Sequence, residues 1–230
     1  MNSQVSQKLI TVQQVDNVLN PITESNGMPN IAYTSTEYFN FERDNILSKT
    51  WVCVGFASDL PKKSYVKPVN FMGMPLVMMR NREGQVQVFH NVCSHRGMIL
   101  VQEEGTIEGV IRCQYHSWSY DLNGNLKGTP HVGGINQHKD ERFKCEKHGL
   151  KALRSAIWMD MVFVNISGDA PSFEDVYFEI KHRLQNQLVV AHNESFDRSV
   201  LKNTMEFYSL NYSQLNLAEK WECTYRIFKQ

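Results

Sequence analysis

The chain has 230 residues, of which 42% are hydrophobic, and its 24 basic residues equal its 24 acidic ones in number. This composition excludes a disordered or fibrous chain, and the charge balance leaves no basic surface for nucleic acid or an anionic membrane. A small molecule or another protein is therefore the expected partner.

The sequence carries no sign of export or membrane insertion. Its first twenty residues mix polar side chains with short aliphatic ones, which differs from a secretory signal peptide, and no stretch approaches the length of a membrane span. Five cysteines without a framework spacing do not indicate disulfides. We therefore expect a cytoplasmic protein.

Residues 1–49 are predicted to form an N-terminal arm and one short helix. The arm contains turn-forming pairs such as Asn20-Pro21. Thr34 and Glu37 have the spacing of a capping box, and apolar residues follow them at helical intervals. The helix is expected to end near Lys49.

From Trp51 the sequence changes to short apolar and β-branched runs that Gly, Pro and Asn separate. Asn123-Gly124 is typical of a tight hairpin. The sequence predicts an antiparallel β domain over 50–167, and the fold class is mainly β with flanking helices (α+β). The expected strands are 51–56, 65–69, 76–79, 86–89, 110–113, 118–121, a strand at Leu126, 152–157 and 161–166.

Residues 168–230 are expected to begin a second, helical region. Ser172 and Asp175 form a capping-box pattern before apolar residues at helical spacing, among them Ile180, Leu184 and Leu188. The final forty residues are polar and do not resemble a complete domain.

Two Cys/His pairs dominate the β region, Cys93-Ser94-His95 and Cys113-Gln114-Tyr115-His116. Each pair lies between strand-like runs, so two hairpin-like loops can meet at their tips. Two thiolates and two imidazoles are the ligands of a Rieske [2Fe-2S] cluster, in which histidines replace cysteines on one iron. We therefore expect Cys93, His95, Cys113 and His116 to be the metal and cofactor ligands.

A structural zinc site is the alternative, because Cys₂His₂ is also a zinc ligand set. Zinc fingers, however, usually pair Cys with Cys and His with His, whereas each pair here is mixed. The pairs also lie in a β region of more than a hundred residues, which can build a core without a metal.

These two motifs and the hairpin that follows them, through Trp118 to Gly124, resemble the Rieske non-haem iron oxygenases. That family comprises the α subunits of aromatic-ring-hydroxylating dioxygenases and related monooxygenases. The resemblance covers about residues 33–190 and implies a Rieske-type antiparallel β-sandwich with two cluster-binding loops. It also implies that Trp118 and Tyr120 cover the cluster, while Gly97 allows a backbone angle that other residues disfavour.

The resemblance implies an oxidoreductase that takes electrons from a reductase or ferredoxin and relays them to a mononuclear iron, in a homo-oligomer. A free-standing Rieske ferredoxin is the alternative, although a minimal ferredoxin lacks the helices that are predicted before Trp51 and after Pro171. Aromatic acids and quaternary amines both remain open as substrates. Dioxygenase and monooxygenase chemistry remain open too.

A complete family member, by resemblance, also binds Fe(II) through two histidines and a carboxylate, with the histidines spaced His-x₄-His. This spacing does not occur after Ser167, where His182 and His192 are ten residues apart. We therefore expect a catalytic domain that is cut off near its start, with unknown catalytic residues. Cys53, Cys145 and Cys223 are interpreted as small buried hydrophobic residues rather than ligands.

Overall fold

The computed structural model describes residues 9–138, 140–176, 178–179, 189–191, 202 and 221–223. The chain divides into two units, the first made of residues 1–157 and 161–170, and the second of residues 158–160 and 171–230. The boundaries expected from the sequence, at 49/50 and 167/168, stay predictions.

The N-terminal region contains more helix than predicted, with α1 (Val12–Leu19), α2 (Ile31–Thr34) and α3 (Thr36–Glu42) followed by a π-helical turn over Arg43–Leu47. The last turn ends near Lys49, as predicted. None of the side chains in these helices is buried.

The predicted capping residue of the short helix is wrong by one position. Ser35, not Thr34, is the N-cap of α3, and its Oγ accepts a hydrogen bond from the Tyr38 N–H at 3.2 Å. Thr34 is the last residue of α2, so its Oγ1 donates to the Asn30 carbonyl at 2.9 Å instead. The hydroxyl is thus used within its own helix.

The first unit is built on antiparallel sheets, which confirms the predicted mainly β fold class. The strands are β1 (Val52–Phe56), β2 (Tyr65–Phe71), β3 (Met74–Arg80), β4 (Val86–His90), β5 (Gly105–Thr106), β6 (Ile111–Arg112), β7 (Ser119–Tyr120), β8 (Leu126–Gly128), β9 (Arg154–Trp158) and β10 (Met161–Asn165). One sheet has the order β1-β10-β9, a second β4-β3-β2-β5 and a third β6-β7-β8.

The β3 strand separates two hydrophobic cores. Leu76 and Met78 face one core, whereas Val77 and Met79 face the other, and all four side chains are fully buried. A strand covered on both faces is expected to be continuously apolar, as this one is. The core on the Val77 side also contains both cysteines of the predicted ligand set.

The predicted Asn123-Gly124 hairpin is confirmed between β7 and β8, but its loop is longer than two residues. The Asp121 carboxylate organises the loop by accepting hydrogen bonds from the N–H groups of Asn123 and Asn125. Gly124 has a φ of +79°, and a Cβ there would lie 2.4 Å from the Phe89 ring. A glycine is therefore required by both backbone angle and space.

In the second unit, the predicted cap at Ser172 is confirmed. Its Oγ accepts from the Asp175 N–H at 3.1 Å, and residues 173–176 and 178–179 are helical. Two unpredicted strands, β11 (Val189–Ala191) and β12 (Trp221–Cys223), pair in parallel. Ile180, His182, Leu184, Leu188 and His192 lie outside the described residues. None of the helices among the described residues has the length and apolar character that a membrane span requires.

Candidate metal centre

The first ligand loop follows β4 and is closed by two backbone hydrogen bonds. The Cys93 N–H donates to the Met98 carbonyl at 2.8 Å, and the Gly97 N–H donates to the Cys93 carbonyl at 2.9 Å. The loop is anchored at Asn91, which is 2% exposed and whose side chain bonds both backbone groups of Val101. Cys93 is therefore fixed at a buried position.

The second ligand loop follows β6 and repeats this closure at the same sequence offsets. The Cys113 N–H donates to the Trp118 carbonyl at 2.8 Å, and the Ser117 N–H donates to the Cys113 carbonyl at 2.9 Å. The two loops thus present their cysteines and histidines from equivalent turns.

The two cysteine thiols lie together in the core, each cysteine being 2% exposed. Burial raises the pKa of the Cys93 thiol, and the adjacent Cys113 thiol raises it further. The Tyr120 hydroxyl and the backbone N–H of His95 act against this increase in the pKa by bonding the sulfur. A metal that binds here must displace the thiol protons, since the thiolate is the ligand form.

The two imidazoles form the other half of the site. The ring centroids of His95 and His116 are 4.7 Å apart, with the planes at 73°. Burial, followed by the charges of His116 and Arg96, lowers the pKa of His95 and so favours the neutral form that binds metals. The His116 Nδ1 is buried and has no hydrogen-bond partner within the described part of the chain. A metal ion bound to Nδ1 would satisfy that atom.

These donors fit a binuclear iron-sulfur cluster, because a thiol pair and an imidazole pair can serve two different irons. Among the described residues, no three His, Cys, Asp or Glu side chains are grouped to hold a single metal ion.

Aromatic side chains cover the imidazole pair. Trp118 is 5% exposed and stacks on His95, with ring centroids 4.6 Å apart and planes at 13°. Phe143 and His148 pack edge-on against Trp118 at 5.5 and 6.1 Å. The cover by Trp118 was expected, but Phe143 and His148 belong to no sequence motif, so nothing in the sequence pointed to them.

Tyr120 is fully buried and lies on the thiol side of the site. Its hydroxyl is 3.1 Å from the Cys93 Sγ and 2.9 Å from the Ser94 Oγ, and it accepts a hydrogen bond from the Ser94 N–H at 3.1 Å. The Ser94 Oγ in turn donates to the His148 carbonyl at 2.6 Å. Burial, and then the bond to Cys93, raises the pKa of Tyr120, so its phenol stays protonated.

A polar cleft of about 540 Å³ opens beside the imidazole pair. Arg96 and Tyr115 lie on its wall and are exposed. The Tyr115 ring also contacts the His116 ring, with centroids 3.8 Å apart. The remaining lining residues are His95, His116, Ser117, Trp118, Pro130, His131 and Val132. The histidine side of the site is therefore the side that a partner can approach.

The other cysteines do not take part in the site. Cys53 is exposed on the outward face of β1 and its thiol bonds the Gly55 carbonyl, so the prediction of a buried residue there is wrong. The bulge of β1 between Cys53 and Gly55 accompanies this outward position. Cys145 is half-buried beside the ligand core, and the side chain of Cys223 lies outside the description.

Comparisons with known proteins identify the domain in which these residues lie. Residues 50–139 match the family model of the Rieske [2Fe-2S] domain. The chain is 32% identical over 143 residues to the carnitine monooxygenase oxygenase subunit of Escherichia coli (strain K12), which covers 62% of this chain and 37% of that protein.

Two solved structures share the fold. The apo form of the quaternary ammonium Rieske monooxygenase CntA matches with a TM-score of 0.59 at 29% identity, over 68% of this chain and 44% of that one. Naphthalene 1,2-dioxygenase with bound indole matches with a TM-score of 0.55 at 25% identity, over 62% of this chain and 32% of that one. The chain spans about two fifths of the length of the curated relatives that it matches. Residues 50–139 therefore form a Rieske [2Fe-2S] domain, and the chain is similar to the oxygenase subunits of Rieske monooxygenases.

Proposed function

We propose that this chain is the electron-entry part of a Rieske oxygenase α subunit. It takes single electrons from a reductase or ferredoxin and relays them to a mononuclear iron, within a homo-oligomer. The observation that carries this proposal is the meeting of two buried thiols and two adjacent imidazoles on two equivalent loops. The oxygenase relatives support it, because the chain is 32% identical to one of them over 143 residues.

The ligands in this proposal are Cys93 and Cys113 on one iron and His95 and His116 on the other. When bound, such a cluster supplies a one-electron couple whose potential is raised by its histidine ligands. The protein keeps water from the two thiolates, which lie in the core, and leaves the imidazoles beside the polar cleft. Electrons would enter and leave through that histidine side.

A free-standing Rieske ferredoxin is less well supported. The named relatives are oxygenases, and the match to CntA covers 68% of this chain, more than the 90 residues of the Rieske domain alone. Helices also lie before β1 and after Pro171. Both observations favour an oxygenase subunit over a carrier.

The proposed substrate class of the whole oxygenase is a quaternary ammonium compound. The carnitine monooxygenase subunit and CntA support this class, and they are closer in sequence to the chain than naphthalene dioxygenase is. Deletion of the gene in its host should abolish oxidation of carnitine, glycine betaine or choline. Loss of aromatic oxidation instead would assign the aromatic class.

The electron-transfer role is tested on the purified protein. Iron and acid-labile sulfide should be present in equal amounts, and the protein should be red-brown. Reduction by dithionite, or by NADH with a suitable reductase, should produce the paramagnetic signal of a one-electron-reduced binuclear cluster. Zinc in place of iron, with no visible absorption, would overturn the proposal.

A further inference from the structure

We infer that Asn26 is a modification site, at which the nitrogen of Gly27 drives deamidation of the asparagine to aspartate and isoaspartate in the folded protein. Asn26-Gly27 is one of two Asn-Gly pairs in the sequence, and Asn123-Gly124 is the other. The two pairs differ in the bonds that hold their reacting groups. This inference is independent of the metal centre and goes beyond the proposed electron transfer.

The reaction is a ring closure between two neighbouring residues. The glycine nitrogen loses its proton and attacks the carboxamide carbon of the asparagine, so that a C–N bond forms and ammonia leaves. Water then opens the resulting succinimide at either carbonyl, which gives aspartate or isoaspartate. Glycine favours the attack, because it has no Cβ to crowd the nitrogen and its backbone rotates freely. Water is thus the co-reactant, and no oxidant or reductant is needed.

The Asn26-Gly27 pair meets the requirements of this ring closure. Both residues are exposed and lie in the irregular link between α1 and α2. Within the described part of the chain, neither the Asn26 carboxamide nor the Gly27 N–H has a hydrogen-bond partner. The bond that the pair makes, from the Asn26 N–H to the Asn17 carbonyl at 2.9 Å, leaves the reacting atoms free. A Cβ at Gly27 would meet no atom within 4 Å, so the nitrogen is also accessible.

The Asn123-Gly124 pair is held at both reacting groups. The Gly124 N–H donates to the Asp121 carbonyl at 3.0 Å, and the Asn123 Oδ1 accepts from the Asn81 Nδ2 at 2.8 Å. Asn81 is 1% exposed, so its amide is a fixed anchor. The Gly124 carbonyl accepts in addition from the Leu150 N–H at 2.7 Å. Ring closure removes the Gly124 proton and rotates the Asn123 side chain, so the folded hairpin resists it.

Deamidation at Asn26 changes both the charge and the backbone of the N-terminal arm. Residues 9–42 contain four acidic and no basic side chains, and the formal net charge of the whole chain is zero. The new carboxylate therefore makes a neutral protein negative, so that the two forms can be separated by anion exchange. Isoaspartate also lengthens the main chain between α1 and α2, because the chain then runs through the former side chain.

The test follows both pairs while the purified, folded protein is kept in mildly alkaline buffer, which promotes loss of the nitrogen proton. Trypsin places the pairs in separate peptides, of residues 9–43 and 113–127. Mass spectrometry with fragmentation should show deamidation that accumulates at Asn26 and not at Asn123. A protein isoaspartate methyltransferase with labelled S-adenosylmethionine should then methylate the first peptide and not the second.

Gly27→Ala is the matched variant. The position has open space and no positive φ, so the alanine is compatible with the fold, whereas its Cβ hinders the attack. Deamidation at Asn26 should become several-fold slower. Asn26→Asp should elute with the aspartate form on anion exchange. In urea, Asn123-Gly124 should react about as fast as Asn26-Gly27, because its protection comes from the fold.

Three outcomes would overturn the inference. The first is an Asn26 that stays an amide in the folded protein while the unfolded chain deamidates. The second is equal rates at Asn26 and Asn123 in the folded protein. The third is a Gly27→Ala protein that deamidates as fast as the wild type, because the Gly27 nitrogen would then not be the attacking group.

Discussion

Gly97 and Ser117 occupy the same position in the two ligand loops, four residues after the cysteine, and both have left-handed backbone, with φ of +71° and +59°. Each donates its N–H to the carbonyl of its own loop's cysteine. The conformation is thus required by the loop closure. Glycine adopts it without a steric penalty, whereas a side chain costs roughly 1–2 kcal/mol there.

The first prediction concerns this pair of residues. Gly97→Ala should lower the free energy of unfolding by roughly 1–2 kcal/mol, because a Cβ at Gly97 meets no atom within 4 Å and only the backbone angle is penalised. Ser117→Gly should raise it by a few tenths to about 1 kcal/mol, since relief of strain exceeds the added chain entropy. Gly105→Ala is the control, for Gly105 is equally open but lacks a positive φ. Urea unfolding of loaded protein measures all three, and an effect at Gly105 equal to that at Gly97 would contradict the argument.

The second prediction separates the cysteines. Cys93→Ser and Cys113→Ser should lose the visible absorption and most of the bound iron, because each removes a ligand from the buried pair. Cys53→Ser should retain both, since Cys53 is exposed on β1. Iron analysis of the three proteins checks the result. A colourless Cys53→Ser protein would mean that the ligand assignment is wrong.

The third prediction is that the potential falls with rising pH. Imidazoles that bind iron through one ring nitrogen keep an N–H on the other nitrogen, and that N–H can ionise. That proton is lost more readily when the iron is oxidised, so high pH favours the oxidised state and lowers the potential. Where one proton accompanies one electron, the slope approaches about 59 mV per pH unit. A potential that stays flat between pH 6 and about pH 10 would mean that the histidines are buried or are not ligands.

The candidate ligands could be proposed from the sequence because their signal is local. One residue separates Cys93 from His95, and two separate Cys113 from His116. Each pair therefore fits within a single turn, and the strand-like runs on either side of the pair indicate that the turn lies in a loop. The central strand could also be predicted from the sequence. Leu76 to Met79 form one continuous apolar run, as expected for a strand that lies between two cores.

The parts that were missed depend on distant contacts. His148 reaches the site through a carbonyl bond to Ser94, and no residue pattern encodes a bond across 54 positions. Phe143 covers Trp118 for the same reason. Thr34 and Ser35 both carry a hydroxyl that could cap the next helix, so the sequence did not distinguish them. Thr34 belongs to the preceding helix and bonds its backbone, which leaves Ser35 as the cap.

The last prediction concerns stability, and it depends on His90, which ends β4 with a buried Nε2 that has no hydrogen-bond partner among the described residues. Burial, with the charge of Lys151 nearby, lowers the pKa of His90 from its ordinary 6.5. The unfolded chain therefore takes up a proton near pH 6.5, while the folded protein takes it up only at lower pH. Between these two values the unfolded state binds more protons, so the free energy of unfolding must decrease as the pH falls. Above pH 6.5 the residue is neutral in both states and has no effect.

His90→Gln should reduce the loss of stability between pH 7 and pH 5, as measured by urea unfolding of the loaded protein, whereas replacement of the exposed His138 by Gln should leave that loss unchanged. An unchanged pH dependence in His90→Gln would show that another group is responsible for the acid sensitivity of this domain.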